Sequence, residues 1–313
     1  MTETDRPLPD TPPFLLRPPG GGADFRKPGL LGRIRRRAAH HLYPVKADAA
    51  RYWCGVIGRF DGLRFAVDTR DHIARSVLEN GTYEPHVTAF IERHVGPGAV
   101  CVDGGANIGV HTLTMARLAG PAGRVVSFEP NLLVAKILLR NLALNDLRNV
   151  VVRREALGSE TTALALRVPL STSSEGGNAG LASLVALETG HETVTVPVVR
   201  LDVLAEELGV QRVDFVKLDL QGFEPQGLMG MRDIVARDRP LVILEVDRWA
   251  LEAGGHSVQW IVNHFSGLDY TLRSLALDGW PVAFRSDFGE AVAFPSERLE
   301  GARDSTLRPG GPI

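Results

Sequence analysis

The chain has 313 residues, 44% of them hydrophobic and 23% charged, with a formal net charge of −2. That length suits one large α/β domain with trimmings or two smaller domains, and it can bury a sizeable core. The composition excludes a wholly disordered chain, a collagen and a disulfide-rich miniprotein, and the near-neutral balance argues against a surface devoted to nucleic acid.

Residues 1–48 read as a disordered arm, rich in Pro and Gly at first and basic later. Seven basic and no acidic residues fall between Arg26 and Lys46, including Arg33, Arg35, Arg36 and Arg37. A solvated tail is the plainer reading; contact with an anionic partner or a membrane surface is the alternative. The start lacks the basic-then-apolar order of a signal peptide, and no run approaches about 18 consecutive apolar residues. Cys54 and Cys101 form no CxxC pair, which favours a reducing compartment, so a cytoplasmic protein is expected. Residues 49–98 are expected to form a helical lead-in, residues 99–294 the main domain, and residues 295–313 a loose tail.

From Val95 to Phe284 strand and helix periods alternate, the pattern of a parallel sheet covered on both faces. Ala99–Val102 predicts a strand and Asn107–Leu118 a helix. Arg124–Phe128 predicts a second strand, Leu132–Leu144 a second helix, and Val150–Val152 the opening of a third strand. Val213–Leu218 and Leu241–Leu244 give the fourth and fifth. Tyr270–Leu275 and Pro281–Phe284 predict a closing hairpin turned by Asp278 and Gly279. Ala163–Val168 and Thr193–Val199 also alternate as strands, flanking a long Ser/Gly-rich loop of the kind that is usually functional or disordered.

The sharpest motif is Asp103-Gly104-Gly105-Ala106-Asn107-Ile108-Gly109, directly after the first strand. In an open parallel sheet, ligands bind at the carboxyl ends of the strands. Glu129 closes the next strand twenty residues after Gly109, where a carboxylate can accept hydrogen bonds from ribose hydroxyls. The segment is a near miss to a dinucleotide fingerprint, and Asp103 would repel a pyrophosphate while suiting a cation such as S-adenosylmethionine. A bare strand-to-helix turn capped by an aspartate is the bland alternative. The nine histidines show no metal-ligand spacing, so no metal is expected.

The ordered set resembles the FkbM-type methyltransferases. It comprises Gly81-Thr82-Tyr83-Glu84, Val102–Gly109, Ser127-Phe128-Glu129-Pro130-Asn131, Glu155-Ala156-Leu157-Gly158, Val216–Glu224 and Ile243-Leu244-Glu245. The resemblance implies a Rossmann-like class I methyltransferase: an α/β fold with a seven-stranded, mostly parallel sheet whose last strand is antiparallel. It implies S-adenosylmethionine as cofactor, with Asp103, Gly105 and Asn107 along its methionine part. Glu129 would hold the ribose with Asn131 nearby, Glu155 and Ala156 would border the adenine, and Tyr83 and Glu84 would close over the cofactor. Asp219 would face the methyl group, with Lys217 either catalytic or ion-paired to it, and Glu245 as a second candidate. Glu224 falls where a helix should begin. The family pattern Lys-x-Asp-x-Glu-Gly is broken here by Gln221.

The expected activity is methylation of a small-molecule hydroxyl, such as that of a polyketide or sugar. An NAD-dependent oxidoreductase on the same sheet and a non-catalytic methyltransferase-like binding module are the alternatives. The stretch Asn178–Leu184 is expected to overhang the acceptor, and His191 or His256 could face it.

Overall fold

A computed structural model describes residues 53–56, 63–67, 73, 76, 83–169, 182–185, 191–285 and 288–301. The basic arm, residues 170–181 and the last twelve residues lie outside that set. No helix among the described residues is long and apolar enough to cross a membrane.

Strands β1 (Trp53–Val56) and β2 (Arg64–Val67) pair antiparallel ahead of helix α1 (Pro85–His94). The lead-in thus contains a strand pair as well as a helix. Its anchor is helix α3 (Leu132–Leu144). The Ala66 and Arg64 amides donate to Asn141 and Asn145 Oδ1 at 2.5 and 2.7 Å, and Asn145 Nδ2 returns a bond to the Arg64 carbonyl. A fully buried Asn141 is tolerable because its Nδ2 also donates to the Ile108 carbonyl at 2.7 Å.

The main sheet holds strands β3 (Val100–Gly104), β4 (Arg124–Phe128), β5 (Val150–Arg153), β9 (Phe215–Leu218), β10 (Leu241–Asp247), β11 (Tyr270–Leu275), β12 (Pro281–Ala283) and β13 (Phe288–Pro295). Their spatial order is β12-β11-β13-β10-β9-β3-β4-β5, with β5, β4, β3, β9 and β10 mutually parallel. Eight strands are present where seven were expected. The antiparallel element wedged between β10 and β11 is β13, while the turn at Asp278 and Gly279 adds β12 at the edge. The chain after Phe294 is not all tail: Pro295 ends β13, and helix α9 (Ser296–Gly301) follows, tied by Glu297 to Arg239 at 2.7 Å.

Strand residues sort by the two-residue period of the pleat. Val102, Val126, Val216 and Leu244 face one way, against Leu201 and Leu204 of helix α4 (Leu201–Glu207), Ile234 and Val235 of α6 (Arg232–Asp238), Leu251 of α7 (Arg248–Ala253), and Phe265 of α8 (Val258–Ser266). Cys101, Val125, Phe215 and Ile243 face the other way, against Phe90 of α1 and Met115 of helix α2 (Val110–Ala119). Phe90 is fully buried and meets Phe294 edge-on at 6.1 Å. A second sheet lies beside the first, with β6 (Ala156–Leu157), β8 (His191–Val199) and β7 (Thr162–Pro169) in that order. These last two are the strands expected around the long loop.

Helix α2 begins at Val110, three residues later than its periodicity suggested. Asn107 and Gly109 take φ of 50° and 93°, so the chain makes a left-handed turn before it can enter a helix. That turn leaves backbone amides pointing at the sheet's carboxyl edge.

Candidate active site

Register brings the first charges together. Asp103 on β3 stands opposite Lys217 on β9, and Asp219 follows two residues on, over the same face. Lys217 Nζ lies 3.4 Å from Asp219 Oδ2 and 3.9 Å from Asp103 Oδ1. Burial alone would strip the Lys217 proton, but Asp219 and Asp103 outweigh it and hold the ammonium above its ordinary range. Asp103 is wholly buried, and its Oδ2 accepts from Thr112 Oγ1 at 2.5 Å, while its Oδ1 has no hydrogen-bond partner. Burial pushes the Asp103 carboxyl up, with Lys217 opposing.

Glu129 organises the loop after β3. Its Oε2 accepts from the Asn107 amide at 2.9 Å and its Oε1 from the Asn131 amide at 2.8 Å. Burial pushes this carboxyl up to about 7, even though both amides favour the ionised form. Gly105 is required where it stands: at φ 74°, a Cβ there would meet the Asp219 carbonyl oxygen at 1.9 Å. The strand ends of β3 and β9 thus close on each other, and Asp219 takes a fixed place beside the glycine turn.

A second group of acids approaches from the other side. Glu84, in a left-handed conformation just before Pro85 opens α1, accepts from or pairs with His111 Nε2 at 3.0 Å. Burial works against the ionised form of Glu84, but His111, Lys217 and Tyr83 outweigh it and lower it to about 2. Burial and the neighbouring Glu84 push the Tyr83 phenol up. Across the sheet, Glu245 on β10 stands opposite Glu290 on β13, which His86 engages at 2.6 Å. Burial, then Asp219, push the Glu245 carboxyl to about 9, so it holds a proton at neutral pH.

Two clefts open between these groups. The larger spans about 570 Å³, part of it open to solvent, and is lined by Gly105, Asn107, Glu129 and Ala156, with Phe128 and Phe223 among its apolar walls. The narrower, about 250 Å³, is lined by Glu84, Lys217, Glu245 and Glu290. Asp219 lines both.

Other expected residues stand elsewhere. Asp103 lies beneath the clefts and lines neither. Asn131 spends its side chain capping α3, its Oδ1 accepting from the Leu133 amide. Glu155 is drawn aside by Arg153 at 2.5 Å and borders neither cleft. His256 bonds to Gln226 rather than to this site. Glu224 opens helix α5 (Glu224–Gly230), and its buried carboxylate accepts from the Leu220 amide, holding the turn after β9. The part of the long loop that is described, 182–185, does reach the site: Ala182 and Leu184 line the larger cleft.

The sequence profile of the methyltransferase FkbM domain matches residues 103–275. The chain belongs to the FkbM methyltransferase family. Methyltransferase 1 of Beauveria bassiana (strain ARSEF 2860) is 32% identical over 148 residues, which are 42% of this chain and 58% of that protein. Methyltransferase sdnD of Sordaria araneosa is 32% identical over 157 residues, 42% of this chain and 59% of that protein. The chain thus spans less than two thirds of either relative. Among solved structures, the methyltransferase FkbM of Methylobacillus flagellatus KT aligns with 16% identity and a TM-score of 0.40, over 73% of this chain and 62% of that one.

Within this family the chain keeps its motif residues at the sheet edge but adds partners that its motifs do not announce. Thr112, His111, His86 and Glu290 each hold a motif carboxylate or face one. His111 and Thr112 sit one and two residues past Val110, the first residue of α2, a spacing at which a helix over the turn returns side chains to the strand end. No such local signal marks Glu290, whose place depends on β13 inserting next to β10.

Proposed function

We propose that the chain is an S-adenosylmethionine-dependent methyltransferase that methylates a hydroxyl of a small-molecule acceptor. One observation carries this reading: Asp219 is shared by two clefts, one walled for a nucleoside and one lined by acids.

The residues fit the donor. The larger cleft offers apolar walls from Phe128 and Phe223 for a planar ring, and Glu129 for hydroxyls beside it. Each Glu129 oxygen accepts one backbone amide and keeps a lone pair to spare. Asp103, Glu84 and Asp219, three carboxyl groups around the single Lys217 ammonium, make the strand edge favourable to a cation and hostile to a diphosphate. That distinction disfavours a nicotinamide dinucleotide. When bound, the sulfonium donor supplies an activated methyl group.

The chain's own part is positioning and proton handling. Asp219, with Lys217 against Oδ2, is an oriented carboxylate able to accept the acceptor's hydroxyl proton. Lys217 is the orienting cation, since an ammonium held between two carboxylates has no lone pair to offer. Glu129 holds the donor and, through the Asn107 amide, the loop beneath it. A metabolite extract incubated with isotopically labelled donor tests the reading by mass spectrometry. Label should appear in a hydroxyl-bearing small molecule, and Asp219→Ala should lower its formation by about a hundredfold or more while changing donor affinity little. Label transfer that survives Asp219→Ala unchanged removes Asp219 from this role.

A further inference from the structure

Gln221 lines the larger cleft two residues after Asp219, which lines both. Its Nε2 donates to Asp219 Oδ1 at 2.8 Å and to Glu245 Oε2 at 3.1 Å. Lys217 occupies the other Asp219 oxygen, so the carboxylate is gripped from both sides. The backbone that aims Gln221 is itself unusual, with φ 53° followed by Gly222 at φ 91°. A non-glycine residue there needs support from its surroundings. Ser183 supplies it: the buried Oγ donates to the Gln221 carbonyl at 2.9 Å and accepts from the Val185 amide at 2.9 Å. Ser183 belongs to the same short stretch whose neighbours Ala182 and Leu184 line the larger cleft.

We propose that Gln221 is a positioning residue that fixes the Asp219 carboxylate toward the acceptor by donating at once to Asp219 and Glu245, with the 182–185 stretch holding it in place. An amide is the neutral group that can do this, since its two N–H bonds serve two carboxyl groups. A glutamate in its place offers no proton when ionised, and it would set three carboxyl groups around one ammonium. One of them must then take up a proton or turn away. The charged groups facing this point are Lys217 on β9, Asp103 on β3, Glu84 ahead of α1 and Glu224 on α5. Glu129 on β4 faces Asp219, and Glu290 on β13 faces Glu245. Apart from Lys217 these groups are all acidic, so an added carboxylate must compete with Asp219 and Asp103 for the one ammonium.

The inference rests on the methyltransferase reading, and its test separates the two. Carboxyl-carbon NMR titration of the ligand-free full chain follows Asp219 in the wild type and in Gln221→Glu. The introduced carboxyl should titrate at least about one pH unit above an ordinary glutamate near 4.3, with the Asp219 resonance moving in step. An introduced carboxyl that titrates at its ordinary value, with Asp219 unmoved, overturns the proposal. Methyl transfer from labelled S-adenosylmethionine to a metabolite extract gives the functional arm. Near about pH 8, Gln221→Glu should lose about tenfold or more in turnover, and near about pH 6 the loss should shrink to about threefold, because the protonated acid can donate as the amide did. Gln221→Met, which keeps the length but removes the donor, should lose turnover at both pH values. Equal losses for Gln221→Glu at both pH values, or wild-type turnover in Gln221→Met, contradict the proposal. Should Gln221→Glu fail to fold, the Met variant decides alone. A wild-type chain that neither binds the donor nor transfers label refutes the methyltransferase reading, while the NMR titration still judges the clamp.

Discussion

Lys217 and Asp219 are joined by a 3.4 Å ion pair at the end of β9, and the Lys217 ammonium is the cation that Asp103 also faces, at 3.9 Å. Removing one partner from a buried group of this kind strands the others without compensation. Lys217→Met should therefore lower the free energy of unfolding by about 3–5 kcal/mol near neutral pH. The loss should shrink in acid, where Asp103, whose carboxyl burial pushes up, can take a proton. Urea unfolding at both pH values measures it; a loss under about 1 kcal/mol near neutrality would mean the cluster is well solvated.

On the proposed reading, Glu129 acts on donor binding twice, through its own lone pairs and through the loop it holds. Glu129→Gln should weaken S-adenosylmethionine binding by about tenfold or more, the scale of a hydrogen bond to a charged group. Because burial sets the Glu129 carboxyl to about 7, wild-type affinity should decline as pH falls below that point. The variant's affinity should be nearly flat across the same range. Calorimetric titrations at several pH values would reveal the contrast, and parallel pH profiles would speak against a role for this carboxylate.

Glu245 makes stability itself depend on pH. Its carboxyl titrates at about 9 in the fold, against 4.5 as the ordinary value, because burial and then Asp219 disfavour the charged form. For an acid raised in this way, the contribution to stability is complete below the unfolded value and is lost as pH rises through the folded one. Glu129 and Glu224, both at about 7, are spent earlier. Thermal unfolding should therefore show a Tm that falls from about pH 4.5, steeply up to about pH 7 and then more gently until about pH 9, and Glu245→Gln should flatten the part between about pH 7 and 9. An unchanged slope in the variant would assign the alkaline loss to other groups.

Gly105 and Gly120 offer a matched comparison. Both take positive φ, 74° and 63°, but a Cβ at Gly105 meets the Asp219 carbonyl at 1.9 Å, whereas one at Gly120 meets nothing within 4 Å. Gly120→Ala should cost only the backbone strain of φ 63°, ψ −173°, about 1–3 kcal/mol. Gly105→Ala should cost clearly more and weaken donor binding as well, since it forces β3 and β9 apart. Similar losses for the two variants in urea unfolding would remove the close approach from the account.

Much of the site was legible because it is local. The glycine turn after β3, Glu129 at the end of β4 and the span of α3 follow from short motifs and period alone, and α3 runs over the expected Leu132–Leu144. The helix after the turn starts late because left-handed residues at Asn107 and Gly109 do not register in a hydrophobic period. Strand β13 was hidden for a different reason. Phe288–Pro295 begins with Phe-Gly-Glu, borders a Pro-rich tail, and owes its strand state to neighbours on both sides, β10 and β11. Glu290, and the Asn141 and Asn145 anchors for β2, likewise depend on partners 75 or more residues away. Glu155 differs for a local reason: Arg153, only two residues earlier at the end of β5, claims its carboxylate.

On the proposed reading, the larger cleft holds a sulfonium nucleoside and presents it to Asp219. Calorimetric titration of the full chain with S-adenosylmethionine and, separately, with NAD tests it most directly. Saturable one-to-one binding of S-adenosylmethionine, weakened by Glu129→Gln and absent for NAD, is the predicted result. Binding of NAD without binding of S-adenosylmethionine would contradict it.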